Sequence, residues 1–502
     1  MNRERAETHL RLLAEAELRR SMTPSGGGAA GQRHTPSLAL AGYVLWTVGA
    51  VDIGVMDEIR DDLEFARAVR EPVPLSPARP GPGGSPQVAR RLERLMLTLR
   101  PPRTGEEYHH TSTPHEPWRV VPIGRVLRIQ DDDDRGELHI LAYVHSEGGA
   151  RFTMAGWLER SSGPRGPVPT SPTRPRRVRC DFTATDDTGT TYHLGFTAVA
   201  GEGRVEWPGV LELRPDPPHQ IRWLDVTTIP GEPATRIDLD PKAPTDPKAR
   251  TAPKAPQFPA PDITVTQRTV SPGELLLDVV ATRLLTVAAT FPQDTPEQLA
   301  AAKPGLVPHA VGGLGDIIAA LEAAGALSPA SPVPGQLAGL CSHLGVSGHR
   351  ITAPPARDLP APWRSMLTRY HRRQPQAPPA PGRSVATAVQ LPELDGQRLA
   401  ILGLSHANGA TILQLLADRV TPEDDWEYIR AVRPLPAVWI HDSSGRWHAT
   451  RASGGHRPVR TAREVLLHLA IVPPLDPGTP RIEVVLAGQS AEVRVRLPLR
   501  WT

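Results

Sequence analysis

Two hydrophobic periods divide the chain. Residues 2–20 repeat at about 3.6: Ala6, Leu10, Leu13 and Ala14 share one face, with Glu7/Arg11 and Glu15/Arg19 as i,i+4 pairs on the other. This predicts a helix, ended by Ser25-Gly-Gly-Gly28. Further helices are predicted over 38–48, from Asp52 with Met56, Ile59, Leu63 and Ala66 in register, and behind Ser85-Pro86 with Val88, Leu92, Leu95 and Leu99 as its stripe. From Trp118 the period falls to 2. Short runs at 119–129, 137–145, 151–158, 177–184, 190–198, 209–214 and 221–227, separated by turn residues, have the spacing of an all-β sandwich of immunoglobulin-like type.

The pattern then returns. Ser271-Pro-Gly-Glu274 is a capping box, Thr295-Pro-Glu-Gln298 a second one, and helical stripes continue over 316–324 and on to Leu344. Pro362-Trp-Arg364 echoes Pro117-Trp-Arg119, and Leu399–Gly409 parallels Leu138–Gly148, placing His406 opposite His145. Asp442-Ser-Ser-Gly445 restarts the Asp187-Thr-Gly189 turn signal, and Trp447-His448 stand where Tyr192-His193 stood. At the end Val493, Val495, Leu497 and Leu499 alternate with Arg494, Arg496 and Arg500, so one face of that strand is wet. These recurrences predict an α+β multidomain chain, a tandem duplication of a small helical unit followed by an immunoglobulin-like β-sandwich. Its boundaries are a helical unit at 1–100, a sandwich at 117–229, a linker at 230–261, a second helical unit at 262–373 and a second sandwich at 384–502. The linker repeats Pro-Lys at 241, 247 and 253 and favours polyproline II. At about 3.1 Å per residue it could hold two mobile halves as much as ~100 Å apart.

Composition narrows the function more than the fold. Across 502 residues, 57 basic side chains meet 54 acidic ones for a net charge of +3, which gives no strong field toward nucleic acid or a membrane surface. Lysine stands only at 242, 248, 254 and 303, and every other basic residue is arginine. With abundant Ala, Pro and Gly, that bias reads as a GC-rich genome rather than selection for anion binding. Cys180 and Cys341 are too few for a disulfide scaffold or a thiolate zinc site, which suits a reducing compartment. No secretory apolar region follows Met1, and the most apolar stretch, 275–291, carries Asp278 and Arg283 and is too short to span a bilayer. The expectation is a cytoplasmic protein without membrane insertion.

The repeat supplies the sharpest candidate chemistry: His145, Asp187 and His193 in the first half, His406, Asp442 and His448 in the second. Two imidazoles and a carboxylate suit zinc, or could orient a general base. Both aspartates also sit where a hairpin wants Asp before Gly, and both strand histidines stand beside an aromatic, so each residue has a structural role of its own. Glu106 to His110 with His115 has no regular spacing, and Asp131–Asp134 lacks the alternation and terminal Glu of a calcium loop. Gly313-Leu-Gly315 follows no strand, and neither a Walker A lysine nor a Gly-x-Ser-x-Gly elbow occurs. The basic clusters are Arg174–Arg179 and Arg364–Arg373, the second on a predicted helix with Tyr370 among its arginines.

The run Asp-x-Gly, Trp-x-Gly, Pro-x-Pro-Pro at 187–218 resembles one found in uncharacterised proteins of high-GC bacteria. It covers about forty residues of each β module, and the second copy lacks Trp-Pro-Gly. The resemblance implies a sandwich module and brings no activity, cofactor or catalytic residue with it. The expectation is therefore a non-catalytic protein-binding or scaffold protein. The alternatives are a metal-dependent enzyme or metalloprotein using the His/Asp trios, and a nucleic-acid-associated regulator working through 364–373.

Overall fold

The computed structural model describes residues 2–22, 41–42, 44–45, 48–51, 55, 58, 118–131, 134–146, 149–159, 176–200, 205–229, 231–240, 261–290, 314–345, 351–370, 382–407, 409–418, 437–456 and 464–502. The predicted helix over 88–99, the Glu106–His115 cluster, the Pro-Lys repeat and the capping box at 295–298 lie outside them.

After α1 (Arg3–Met22), eight strands follow: β1 (Arg119–Asp131), β2 (Asp134–Ser146), β3 (Gly149–Glu159), β4 (Arg176–Asp186), β5 (Thr191–Ala200), β6 (Val205–Arg214), β7 (Trp223–Thr227) and β8 (Thr235–Asp238). They form one antiparallel sheet in the order β1-β2-β3-β6-β5-β4-β7-β8. The second half supplies β9 (Asp262–Gln267), then α2 (Pro272–Thr290), α3 (Leu314–Ala323), α4 (Val333–His343) and α5 (Ala361–Tyr370). The remaining strands are β10 (Arg383–Gln390), β11 (Leu399–Ala407), β12 (Ala410–Asp418), β13 (Ala437–Asp442), β14 (Trp447–His456), β15 (Glu464–Val472), β16 (Arg481–Ala487) and β17 (Ala491–Pro498). This sheet runs β10-β11-β12-β15-β14-β13-β16-β17-β9, the first order repeated with one strand added.

Each module is therefore a single curled, barrel-like sheet, which overturns the predicted sandwich of two sheets. Alternation specifies which side chains point inward but not which strands pair, and a barrel satisfies it as well as a sandwich does. Bulges do the curling: the register slips between Pro122 and Arg125, between Ile140 and Ala142, and at the matching places in β10 and β11. Arg119 closes the first barrel by donating to the carbonyls of His219, Ile221 and Leu239, and Thr228 Oγ1 donates to Arg128 O. In the second, Ser384 and Thr502 exchange backbone hydrogen bonds between β10 and the end of the chain.

The predicted duplicated helical unit is also overturned. α1 and Ala41, Val44, Leu45, Val48, Ala50, Val51 and Val55 share one core with α2, α3, α4 and α5, and that layer lies on the outer face of the second barrel at Ala437, Trp439, Ala449, Val485 and Ala487. Asn2 N donates to Ala324 O, and Gly273 N to Ala326 O, which ties the far ends of the layer together. The capping box at α2 forms as predicted: Glu274 Oε2 accepts from Ser271 N at 3.0 Å, and Ser271 Oγ accepts from Glu274 N at 3.2 Å.

Nor are the halves held apart. β8 extends the first sheet into the segment expected as linker, β9 joins the second sheet rather than a helical unit, and the barrels pack face to face. Ala142, Val144 and Val210 meet Ala400, Leu402, Leu416 and Leu466. This explains why β11 is buried at every position: its outer face is covered as fully as its inner one, and a doubly covered strand reads as an apolar run. Gly382 and Gly403 let the modules approach, since a Cβ on Gly382 would fall 2.0 Å from the Trp157 ring.

Candidate functional site

The two β-turns of the repeat are built alike, one residue away from where the sequence pairing put them. Asp186 Oδ1 accepts from Thr188 N at 2.8 Å and Thr190 N at 2.9 Å, while Tyr192 O–H donates to Oδ2 at 2.6 Å. Asp442 Oδ1 accepts from Ser444 N at 2.9 Å and Arg446 N at 2.8 Å, and His448 Nε2 lies 3.3 Å from Oδ2. Asp186 and Asp442 thus correspond, each three residues before a glycine of positive φ, Gly189 at 85° and Gly445 at 79°. The counterpart of His448 is Tyr192. Asp187 instead binds Arg222 Nε at 2.8 Å, and His193 points to solvent opposite Arg214.

Burial opposes ionisation of both turn aspartates, but the hydrogen bonds outweigh it and hold both carboxyls below the usual range. For Asp186 the donors are Tyr192, Thr188 and the backbone of Thr190 and Thr188; for Asp442 they are His448, Ser444 and the Arg446 N–H. A group whose folded pKa is depressed stabilises above its unfolded pKa, about 3.9, and loses that contribution as pH falls toward the folded value. Asp442→Ala is therefore expected to cost about 2–3 kcal/mol at pH 7, where the carboxylate's four hydrogen bonds, to Ser444 N, Ser444 Oγ, Arg446 N and His448 Nε2, are lost. Its melting curve should converge on that of the parent chain as both are titrated below pH 4; parallel acid slopes would contradict the assignment.

His145 and His406 do correspond, each pairing across its strand with an arginine, Arg119 and Arg383. Both are buried, among different neighbours. His145 stacks on His219 at 3.6 Å, with Asp216 Oδ1 3.9 Å from its Nε2 and Tyr143 Oη 3.4 Å from its Nδ1. Burial pushes the Tyr143 phenol up, against the Arg119 guanidinium 5.8 Å from the ring centroid. His406 Nδ1 lies 2.8 Å from Thr411 Oγ1, and burial together with the Arg383 charge lowers its pKa.

The structure brings Asp442 and His448 together. It leaves His406 on another strand bonded to Thr411, and it disperses His145, Asp187 and His193. Among the described residues no group of three or more His, Cys, Asp or Glu side chains could hold a metal ion. His448 has no ring nitrogen to spare for a substrate proton, since Nδ1 donates to Pro473 O at 2.6 Å and Nε2 faces Asp442. Thr411 beside His406 has the outline of a nucleophile and base, yet both are buried and the Thr411 hydroxyl accepts from Leu475 N at 3.1 Å. The constellation that sequence spacing missed is His145 with His219 and Asp216. Its signal was Asp216-Pro-Pro-His219, which reads as a strand break unless the barrel end is known.

A buried charged cluster joins the barrels. Glu464 of β15 reaches into the first module, where Arg151 Nη2 donates at 2.7 Å, Ser146 Oγ at 2.7 Å and Trp118 Nε1 at 2.9 Å. The side chains of Arg151 and Glu464 are 2% and 4% exposed. Gln414 Nε2 donates to Met154 O and Gln390 Nε2 to Trp118 O, both at 2.7 Å, and His139 Nδ1 lies 2.9 Å from Ser384 Oγ. On α5, Trp363, Met366 and Leu367 turn into the helical layer while Arg364 is exposed; 371–373 lie outside the described residues.

No protein-family model matches the chain. No curated protein matches it either. It is similar to the solved structure described as the crystal structure of the conserved domain protein from Bacillus anthracis, at 8% identity over 80% of this chain and 84% of that one, with a TM-score of 0.14. A likeness at that level carries no argument about activity. No described helix is long and apolar enough to cross a membrane.

Proposed function

We propose that the chain is a non-catalytic cytoplasmic scaffold, made of two copies of one β module clamped face to face, which receives a protein partner along a strand edge. The repeated strand order and matching Asp-to-Gly turns support the reading of two copies. The observation that carries the binding role is β9. It lies outside the order shared by the two sheets, pairs with β17 along one side only among the described residues, and is exposed at five of its six positions. An open edge of this kind is a template for another strand, with main-chain hydrogen bonds supplying affinity.

The test places a photo-crosslinking amino acid at Val265 in living cells. A discrete protein adduct is expected. Because successive N–H groups of a strand face opposite edges, one of Thr264→Pro and Val265→Pro removes a donor from the outer edge while leaving the β17 ladder intact. That variant should fold and abolish the adduct formed through a crosslinker moved to Thr266. No adduct to any protein, this chain included, would overturn the reading.

A further inference from the structure

We infer that the strand received by β9 is β9 of a second copy of this chain, paired antiparallel about a twofold axis through Val265. This rests on the reading of β9 as a docking edge and names its occupant.

The strand is self-complementary in that register. Reading Asp262-Ile-Thr-Val-Thr-Gln-Arg268 against itself places Thr264 opposite the second copy's Thr266, Asp262 opposite its Arg268 and Val265 opposite its Val265. Threonine pairs and opposite charges are favourable cross-strand neighbours, and an isologous interface requires such a self-matched patch. Asp262 and Arg268 are held locally by Arg496 at 3.2 Å and Glu492 at 3.6 Å, so the new ion pairs would join an existing charge network at the two ends of the strand.

The position of Val265 adds an apolar reason. Its partner in the ladder is Val493 and that of Ile263 is Val495, both buried, so Val265 lies on the core-facing side of the sheet. It is nonetheless 43% exposed, because the sheet ends at β9. A second β9 would bring its own Val265 to that place and continue the apolar side across the axis. One short strand pair is a small interface, so association should be weak and visible only as a concentration-dependent equilibrium.

Sedimentation of the full chain over a concentration series tests this, with three variants at the half-exposed Val265 whose circular dichroism and melting curves are matched to the parent's. The parent chain should show a concentration-dependent monomer–dimer equilibrium. Val265→Asp and Val265→Lys should each weaken it about tenfold, because the axis sets like charges opposite each other. An equimolar mixture of the two should associate more tightly than either alone, a result only a twofold contact at this residue produces. Val265→Cys should form a disulfide-linked dimer under mild oxidation, because directly opposite strand residues lie within bridging distance. A parent chain that stays monomeric, or a dimer indifferent to both charges, overturns the inference. Should the in-cell adduct at Val265 then contain a different protein, the scaffold reading stands without it; should there be none, both fall.

Discussion

Glu464→Ala lowers the stability of the folded chain by about 3–5 kcal/mol, the cost of removing one partner of a buried ion pair. The carboxylate accepts from Arg151, Ser146 and Trp118, all belonging to the other barrel. Alanine would leave the Arg151 guanidinium buried with no opposing charge and the Trp118 indole without its acceptor. Arg151 Nη1 already lacks a hydrogen-bond partner, so little remains to absorb the loss. Glu464→Gln keeps the shape and should cost less. Replacing both members, Arg151→Met with Glu464→Leu, should recover most of the stability, since two well-packed apolar side chains can substitute for a buried pair. Chemical denaturation followed through tryptophan fluorescence measures all three. A Glu464→Ala loss under about 1 kcal/mol would mean that this ion pair does not hold the barrels together, leaving apolar packing and the Gln414, Gln390 and His139 contacts to do so.

The second large effect lies in the helical layer. Trp363 is among the largest fully buried side chains, and its Nε1 donates to Asp278 Oδ1 at 3.2 Å. Burial raises the Asp278 carboxyl, opposed by hydrogen bonds from Trp363 and Trp439, so this acid sits where charge is costly. Trp363→Ala is expected to cost about 3–5 kcal/mol through the cavity it leaves. Trp363→Phe retains most of the packing and should cost about 1–2 kcal/mol for the lost donor. Because the layer lies on the second barrel without entering it, the helical circular-dichroism signal of Trp363→Ala should melt before the strand signal. A single coincident transition would show that layer and barrel unfold together.

Local structure was legible wherever one face is wet and the other dry. The alternation of β17 appears in the structure with Val493, Val495 and Leu497 buried, and the Ser271–Glu274 cap forms. Pairing was not legible, because a strand's inward residues look the same in a sandwich and a barrel. β11 shows the second limit: buried on both faces, it carries no alternation from which its outer neighbour could be inferred. The slip from Asp186 to Asp187 has a geometric cause. A carboxylate that caps N–H groups two and four residues on must stand three before the glycine, a spacing Asp442–Gly445 shares with Asp186 and not with Asp187. The stacking of His145 on His219 joins residues far apart in the chain through the barrel end, where no periodicity points.

The placement of α1 sets an order of events during synthesis. Leu10 and its neighbours are synthesised well before Leu321, Trp363, Trp439 and Val485, which complete the core they enter. The first barrel has all its strands in hand long before that and can close on its own. α1 thus docks only after the first barrel can close, and its apolar stripe waits exposed until the later helices and strands of that core are made. The surface at risk of aggregation during synthesis is therefore the α1 stripe rather than the strands of the first barrel.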